Sequence, residues 1–271
     1  MKFYAKAFVL LLMSSLLVNC LKKPTNDKKA VSEVSEEWIQ LFNGRDLDGW
    51  MVKINEYSLE ENIHNTFRVE DGVMKVSYDD YEKFGKSYGH IFYKDPYSNY
   101  RLKLQYRFVG KQVADGQEWA RKNSGVMIHS QSPESMLLDQ EFPISLEVQL
   151  LGGLERGVER PTGNLCTPGT HVMMNNELIT EHCINSSSKT YYGEEWIDLE
   201  ILVKRDSIIS HMINGKEVIR YSKPTFGGEF FSEVKEWKSK KGKPVTEGYI
   251  ALQSESHPIE FRKIELLELV D

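Results

Sequence analysis

The stretch Tyr100-Arg101-Leu102-Lys103-Leu104-Gln105-Tyr106-Arg107-Phe108 puts an apolar or aromatic side chain at every second position and a polar one between. Successive side chains of a strand point to opposite faces, so this period predicts a strand with one face in a core and one toward water. Ile197, Leu199, Ile201 and Val203 alternate with Asp198, Glu200 and Lys204 in the same way. Two hairpins are also legible. Asp71-Gly72 separates Phe67–Glu70 from Val73–Ser77, and Asn214-Gly215 separates Ile208–Ile213 from Glu217–Tyr221. These dipeptides accept the two positive φ angles of a tight hairpin turn. Tyr249–Gln253 and Ile259–Leu267 read as two last strands around a short turn through His257-Pro258. No long stretch repeats at helical period, so residues 38–271 are expected to form a single all-β domain, a two-sheet antiparallel sandwich of jelly-roll type.

The first residues have another character. Lys2 and Lys6 precede the apolar run Ala7–Val18, too short for a membrane span of roughly 20 residues, and residues 1–19 read as a signal peptide. Leu17-Val18-Asn19-Cys20 resembles a bacterial lipobox, with Asn19 where a small residue is usual. Lipidation of Cys20 is expected, and residues 20–37, polar and poor in apolar side chains, form a flexible tether. The protein is thus expected in the bacterial cell envelope, periplasmic or at the cell surface, anchored by lipid alone. The net charge of −6 becomes −8 without Lys2 and Lys6, which argues against nucleic acid or anionic lipid surfaces as partners. In an exported chain Cys166 and Cys183 are expected to form a disulfide, worth about 3 kcal/mol. The competing arrangement, zinc on Cys166, Cys183, His171 and His182, matches no common ligand spacing.

Loop signals fill residues 111–122, 131–143, 152–188 and 223–247, which contain Trp119 and Trp237, with Tyr191 and Tyr192 just beyond residue 188. Long loops in a compact domain are usually functional. Sugar rings stack on aromatic planes while their hydroxyls need donors and acceptors, so such loops around a polar sheet face suit carbohydrate. Asn123–Ser130 and Ser145–Leu150 supply that face: Met127 and His129 oppose Val126 and Ile128, and Glu147 and Gln149 oppose Leu146, Val148 and Leu150. His129, Glu147 and Gln149 are therefore expected side by side.

Four motifs in chain order carry a family resemblance. Leu41-Phe42-Asn43-Gly44-Arg45-Asp46-Leu47-Asp48-Gly49-Trp50 resembles the opening LFNGxxLxGW of the DUF1080 or 3-keto-disaccharide hydrolase domain family. Asn123-Ser124-Gly125 and Glu147-Val148-Gln149 resemble its NSG and E-x-Q strands. Gly248–Gln253 followed by Pro258–Ile264 resembles its ending, with Lys263 where the family usually has Asn. The resemblance implies a concanavalin A-like lectin/glucanase fold and chemistry on glycosides oxidised at the sugar C3 position.

A ketone at C3 acidifies the C2 hydrogen, and a base that removes it can expel the C1 substituent; water then adds back. Such a reaction needs a base, a stabiliser for the enolate oxygen and a proton donor. Glu147 and His129 are the expected base and acid, and Arg262 the expected holder of the oxyanion. Gln149, Gln253, His90, Asn123, Glu255 and His257 are the expected sugar contacts. Other arrangements remain open. Glu147 and Glu255 can act as a two-carboxylate hydrolase, and a divalent metal ion can serve as stabiliser on His90, His129 and Glu147. A Glu147–Arg262 pair can be purely structural. The rival function is a non-catalytic carbohydrate-binding or adhesion module.

Overall fold

The computed structural model describes residues 37–228 and 235–270, together with Met1. The signal peptide, Cys20 and the tether up to residue 36 lie outside the described residues. The strands are β1 (Ile39–Gln40), β2 (Trp50–Ile54), β3 (Phe67–Glu70), β4 (Val73–Val76), β5 (Gly89–Tyr93), β6 (Asn99–Phe108), β7 (Asn123–Ser130), β8 (Leu146–Leu151) and β9 (Asn164–Cys166). They continue with β10 (Thr170–Met174), β11 (Glu177–Ile179), β12 (Cys183–Ile184), β13 (Ile197–Lys204), β14 (Ile208–Ile213), β15 (Lys216–Phe226), β16 (Tyr249–Ser254) and β17 (Ile259–Glu268).

The long alternating strand β6 buries every second residue along its length and lies between β13 and β17. Its sheet has ten strands, ordered β11-β10-β15-β14-β13-β6-β17-β4-β3 with β1 on β17. The second sheet has seven, ordered β12-β9-β8-β7-β16-β5-β2. The pairings are antiparallel, and the described residues from 37 onward form one compact unit. Both expected hairpins are present, with φ of 51° and 77° at Asp71 and Gly72 and 48° and 77° at Asn214 and Gly215. The fold is the all-β two-sheet sandwich expected from the alternation.

The core lies between the sheets. Tyr100, Leu102, Leu104 and Tyr106 of β6 and Phe261 and Leu266 of β17 meet Val126, Val148, Leu252 and Ile91 from the smaller sheet. The opening and closing motifs clasp one another here. The Trp50 indole N–H donates to the Leu41 carbonyl at 2.9 Å, and the N–H groups of Leu41 and Phe42 both donate to Ile264 O. Asn43 Oδ1 caps the intervening turn by accepting from the N–H groups of Arg45 and Asp46.

The last two strands do not pair with one another. β16 belongs to the seven-stranded sheet and β17 to the ten-stranded one, so the 255–258 turn crosses between layers. No helix among the described residues is long and apolar enough to cross a membrane.

Candidate functional site

The outer face of the seven-stranded sheet carries the polar residues. Antiparallel register sets Glu147 opposite Met127 on one side and Cys166 on the other, and Gln149 opposite Gly125 and Asn164. Two strands further, Gln253 lies opposite His90, and His90 opposite Lys53. Gly125 makes room for the carboxyl of Glu147. A Cβ there would sit 2.6 Å from Glu147 Oε1 and 2.7 Å from its Cγ, so the glycine lets the side chain fold down over the β7 backbone. The Ser124 hydroxyl donates to Gln253 O at 2.9 Å and ties β7 to β16, while Asn164 Nδ2 holds Gln149 Oε1 at 3.1 Å.

Loops wall this face into a cavity of about 320 Å³. Its polar side is Asn123, Glu147, Gln149 and Glu255, with Glu141 at the edge. Trp119 and Phe142 form apolar walls from the 109–122 and 131–145 loops, both resting on Tyr88. The opposite wall is the Cys166–Cys183 disulfide with His182 and Pro168. The expected disulfide is therefore present and sits beside Glu147. Cys166, His182 and Cys183 bring their donor atoms within 4.8 Å of one another, but both sulfurs are committed to the disulfide, which sets the zinc arrangement aside.

Burial governs the electrostatics. The Glu147 carboxyl, 6% exposed, is held well above the usual carboxylate range by loss of hydration. Glu255, 3% exposed, is also raised, by burial and then by repulsion from Glu147, with Arg160 opposing. Two buried carboxyls that repel one another retain a proton near neutral pH and titrate as a pair. Arg160 is pushed down to about 10 by burial and by Arg121. It donates to the carbonyls of Lys122 (3.1 Å), Gly152 (2.6 Å) and Trp119 (3.3 Å), and so holds the Trp119 loop against the pair.

Several buried polar atoms meet no protein partner among the described residues: Asn123 Oδ1, Glu255 Oε2, both amide atoms of Gln253 and both ring nitrogens of His90. Burying such groups is costly unless water or a ligand satisfies them, so their gathering on one face is a mark of a binding surface. His90 is kept neutral, pushed down to about 3 by burial and then by Lys53.

The structure brings together Glu147, Gln149, Asn123 and Glu255, and places His90 and Gln253 on the same sheet face without lining the cavity. Two expected members are elsewhere. His129 does not join Glu147, because β7 carries a bulge: Ala251 pairs with Met127 but Tyr249 pairs with Ser130, and His129 takes φ of 48°. The extra residue turns the ring away, so that Nε2–H donates to Arg205 O at 2.9 Å and the side chain lines another cavity with Phe226 and Trp237. The proposed metal set His90, His129 and Glu147 is broken by the same bulge. Arg262 is the second correction. It projects from the solvent side of the ten-stranded sheet, where Nε donates to Gln105 at 2.7 Å and the guanidinium stacks on Trp196 at 4.0 Å, so it can neither hold an oxyanion beside Glu147 nor pair with it.

His257 turns into an adjoining cavity with Arg121 and Lys122. His211, between Ile201 and Ile219 of the neighbouring strands, is fully buried, its Nδ1–H donating to Gly163 O and its Nε2 accepting from Tyr221, each at 2.9 Å. Of the loop aromatics, Trp119 alone among the four lines the cavity with Glu147; Tyr191 and Tyr192 pack against Asn214 and Gly153. Phe142, Arg160 and Lys53 escaped the sequence reading. Each is one ordinary residue whose placement depends on loops or registers that no short pattern encodes.

The profile of the 3-keto-alpha-glucoside-1,2-lyase-like domain family matches residues 37–267. Two crystal structures from Parabacteroides distasonis ATCC 8503, each called a "putative glycosyl hydrolase", are similar to this chain. One is 20% identical with a TM-score of 0.52, covering 87% of this chain and 95% of its own. The other is 21% identical with a TM-score of 0.50, covering 86% and 100%. These likenesses show the fold. A carbohydrate-binding module, CBM66 from Bacillus subtilis, aligns at 10% identity and a TM-score of 0.40 over 85% of this chain and 95% of its own. No curated protein matches the sequence. The chain belongs to the 3-keto-alpha-glucoside-1,2-lyase-like domain family, a carbohydrate-active family.

Proposed function

We propose that this family member cleaves the glycosidic bond of 3-keto-glycosides by elimination, with Glu147 and Glu255 as its acid–base pair. The observation that carries the reading is the repelling carboxyl pair buried at the base of a cavity walled by Trp119 and Phe142. A module that only binds sugar has no use for two carboxyls that burial and mutual repulsion both destabilise. Such a pair holds one proton, which it can give up while accepting another in the same event.

The shared proton belongs to the pair; Glu147, seated over Gly125 on β8, is assigned as the base and Glu255 as the acid. Glu147 takes the C2 hydrogen, the C2–H electrons form the C1=C2 bond, and the C1–O bond breaks. The leaving oxygen takes the proton of Glu255, so the pair still holds one proton when the unsaturated ketone and the free alcohol have formed. Addition of water across C1=C2 then gives the 3-keto sugar. Gln149 and Asn123 bind hydroxyls, and Trp119 supports a ring face. We assign export and lipidation at Cys20 from Leu17-Val18-Asn19-Cys20, with residues 20–37 as the tether of the 38–271 domain.

The test incubates the protein with a disaccharide and with its 3-keto derivative, with and without a chelator, and analyses the products. An unsaturated keto product from the oxidised sugar alone is expected. Glu147→Gln is expected to bind that sugar and not turn it over. Cleavage of neither sugar would leave the binding module, and cleavage of the unoxidised sugar would indicate two-carboxylate hydrolysis. Loss of activity with chelator would bring in a divalent ion.

A further inference from the structure

Beside the carboxyl pocket lies a second cavity of about 190 Å³, and its lining is of opposite character. Lys111, Arg121, Lys122 and His257 line it, and no acidic side chain does, on a chain whose net charge is −6. Among the described residues, none of the three cations is engaged in an ion pair. His257 is 3% exposed, and neither of its ring nitrogens has a hydrogen-bond partner. Its ring is fixed edge-on against Phe108 with centroids 5.7 Å apart, so the ring is held in place while its polar atoms are left unused.

The two cavities are neighbours along two segments of chain. Asn123 and Glu255 line the carboxyl pocket, whereas Lys122 and His257, one and two residues away, line the cationic one. Arg160, whose guanidinium donates to Lys122 O and Gly152 O, acts by its charge on Glu255 of the first cavity and on Arg121 and His257 of the second.

We propose that this cavity is an oxyanion subsite, which receives a sulfate, phosphate or carboxylate group carried by the sugar bound at Glu147 and Glu255. Cations on adjacent residues bind an oxyanion by charge-assisted hydrogen bonds, and the unpartnered ring of His257 supplies a further donor. Burial, and then repulsion from Lys122, Arg121 and Arg160, lowers His257 to about 4; a bound anion relieves that repulsion. The site itself rests on the cationic cavity, while its use by a sugar rests on the carbohydrate reading above.

The experiment titrates sodium sulfate into the protein by calorimetry at constant ionic strength, and then compares a sulfated or uronic disaccharide with its neutral counterpart on the Glu147→Gln variant. Sulfate binding is expected, and it is expected to be lost in Arg121→Gln/Lys122→Gln. Both side chains are at the surface of the cavity, and circular dichroism verifies that the variant is folded. The anionic disaccharide is expected to bind about tenfold more tightly than the neutral one, an advantage that the double variant removes. Absence of sulfate binding overturns the subsite even if neutral sugar binds at Glu147. Sulfate binding with no preference for the anionic disaccharide overturns the link to the sugar and leaves an adventitious ion only. Failure of every sugar to bind while sulfate binds overturns the carbohydrate reading and, with it, the proposed use of the cavity.

Discussion

The buried carboxyl pair makes stability fall as pH rises above neutrality. Glu147 and Glu255 both have folded-state values raised by burial, and Glu255 further by Glu147. An acid whose folded value lies above its unfolded value of about 4.3 binds more protons in the folded protein. Its stability contribution is full below the unfolded value and is lost as pH rises through the folded one. Buried imidazoles act in the opposite sense, because His90, His211 and His257 are lowered to about 3, 4 and 4. Their effect fades as pH rises past about 6.5, the unfolded histidine value, and is shared by the wild type and a variant of the pair, so the difference between the two from pH 7 to 8 isolates the carboxyls. Each proton retained there by the folded pair and absent from the unfolded chain corresponds to a loss of about 1.4 kcal/mol per pH unit. Urea denaturation at closely spaced pH values measures that slope. The wild-type protein is expected to lose stability across the interval, and Glu147→Gln/Glu255→Gln, which keeps the shapes and removes the titrating groups, is expected to be flatter by about that amount. Identical slopes in the two proteins would refute the assignment of a shared proton to the pair.

Gly125→Ala places a methyl group 2.6 Å from Glu147 Oε1 and is expected to destabilise by about 2 kcal/mol through overpacking. It also displaces the proposed base, so turnover of a 3-keto-glycoside should fall on the order of 100-fold; unchanged turnover would show that the seat over Gly125 is not required. Reducing the Cys166–Cys183 disulfide is expected to lower stability by about 3 kcal/mol and to weaken sugar binding, since it is a wall of the cavity, and denaturation with and without reductant measures this. His90→Gln is expected to flatten the acid limb of the stability profile by about 1.4 kcal/mol per pH unit between pH 6 and 4. A lowered histidine value gives stability that is present above about 6.5 and lost as pH falls, and an unchanged acid limb would contradict it.

The alternation in β6 and β13 and the two dipeptide turns were legible because each depends on a few neighbouring residues, and the disulfide because two cysteines in a chain read as exported are expected to be oxidised. Backbone geometry imposes the period of two, and Asp71-Gly72 or Asn214-Gly215 need nothing distant to adopt positive φ. Alternation likewise put Glu147 and Gln149 on the outer face of β8, where they are found. His129 obeyed the same rule in the sequence and broke it in the fold, because one extra residue between Met127 and Ser130 reverses the facing of all that follows and is set by pairing with β16. Arg262 alternates with Phe261 and so faces away from the core, but alternation gives two faces per strand and does not say which sheet receives the strand. The turn after β16 carries the chain into the other layer, and the side chain emerges on that sheet's solvent side. Glu255, on that crossing turn, was one candidate among many until burial and Glu147 raised it. Local periodicity thus determined the strands and the fold class, whereas the site depended on strand order, one bulge and one crossing, all of them fixed by contacts between residues far apart in the chain.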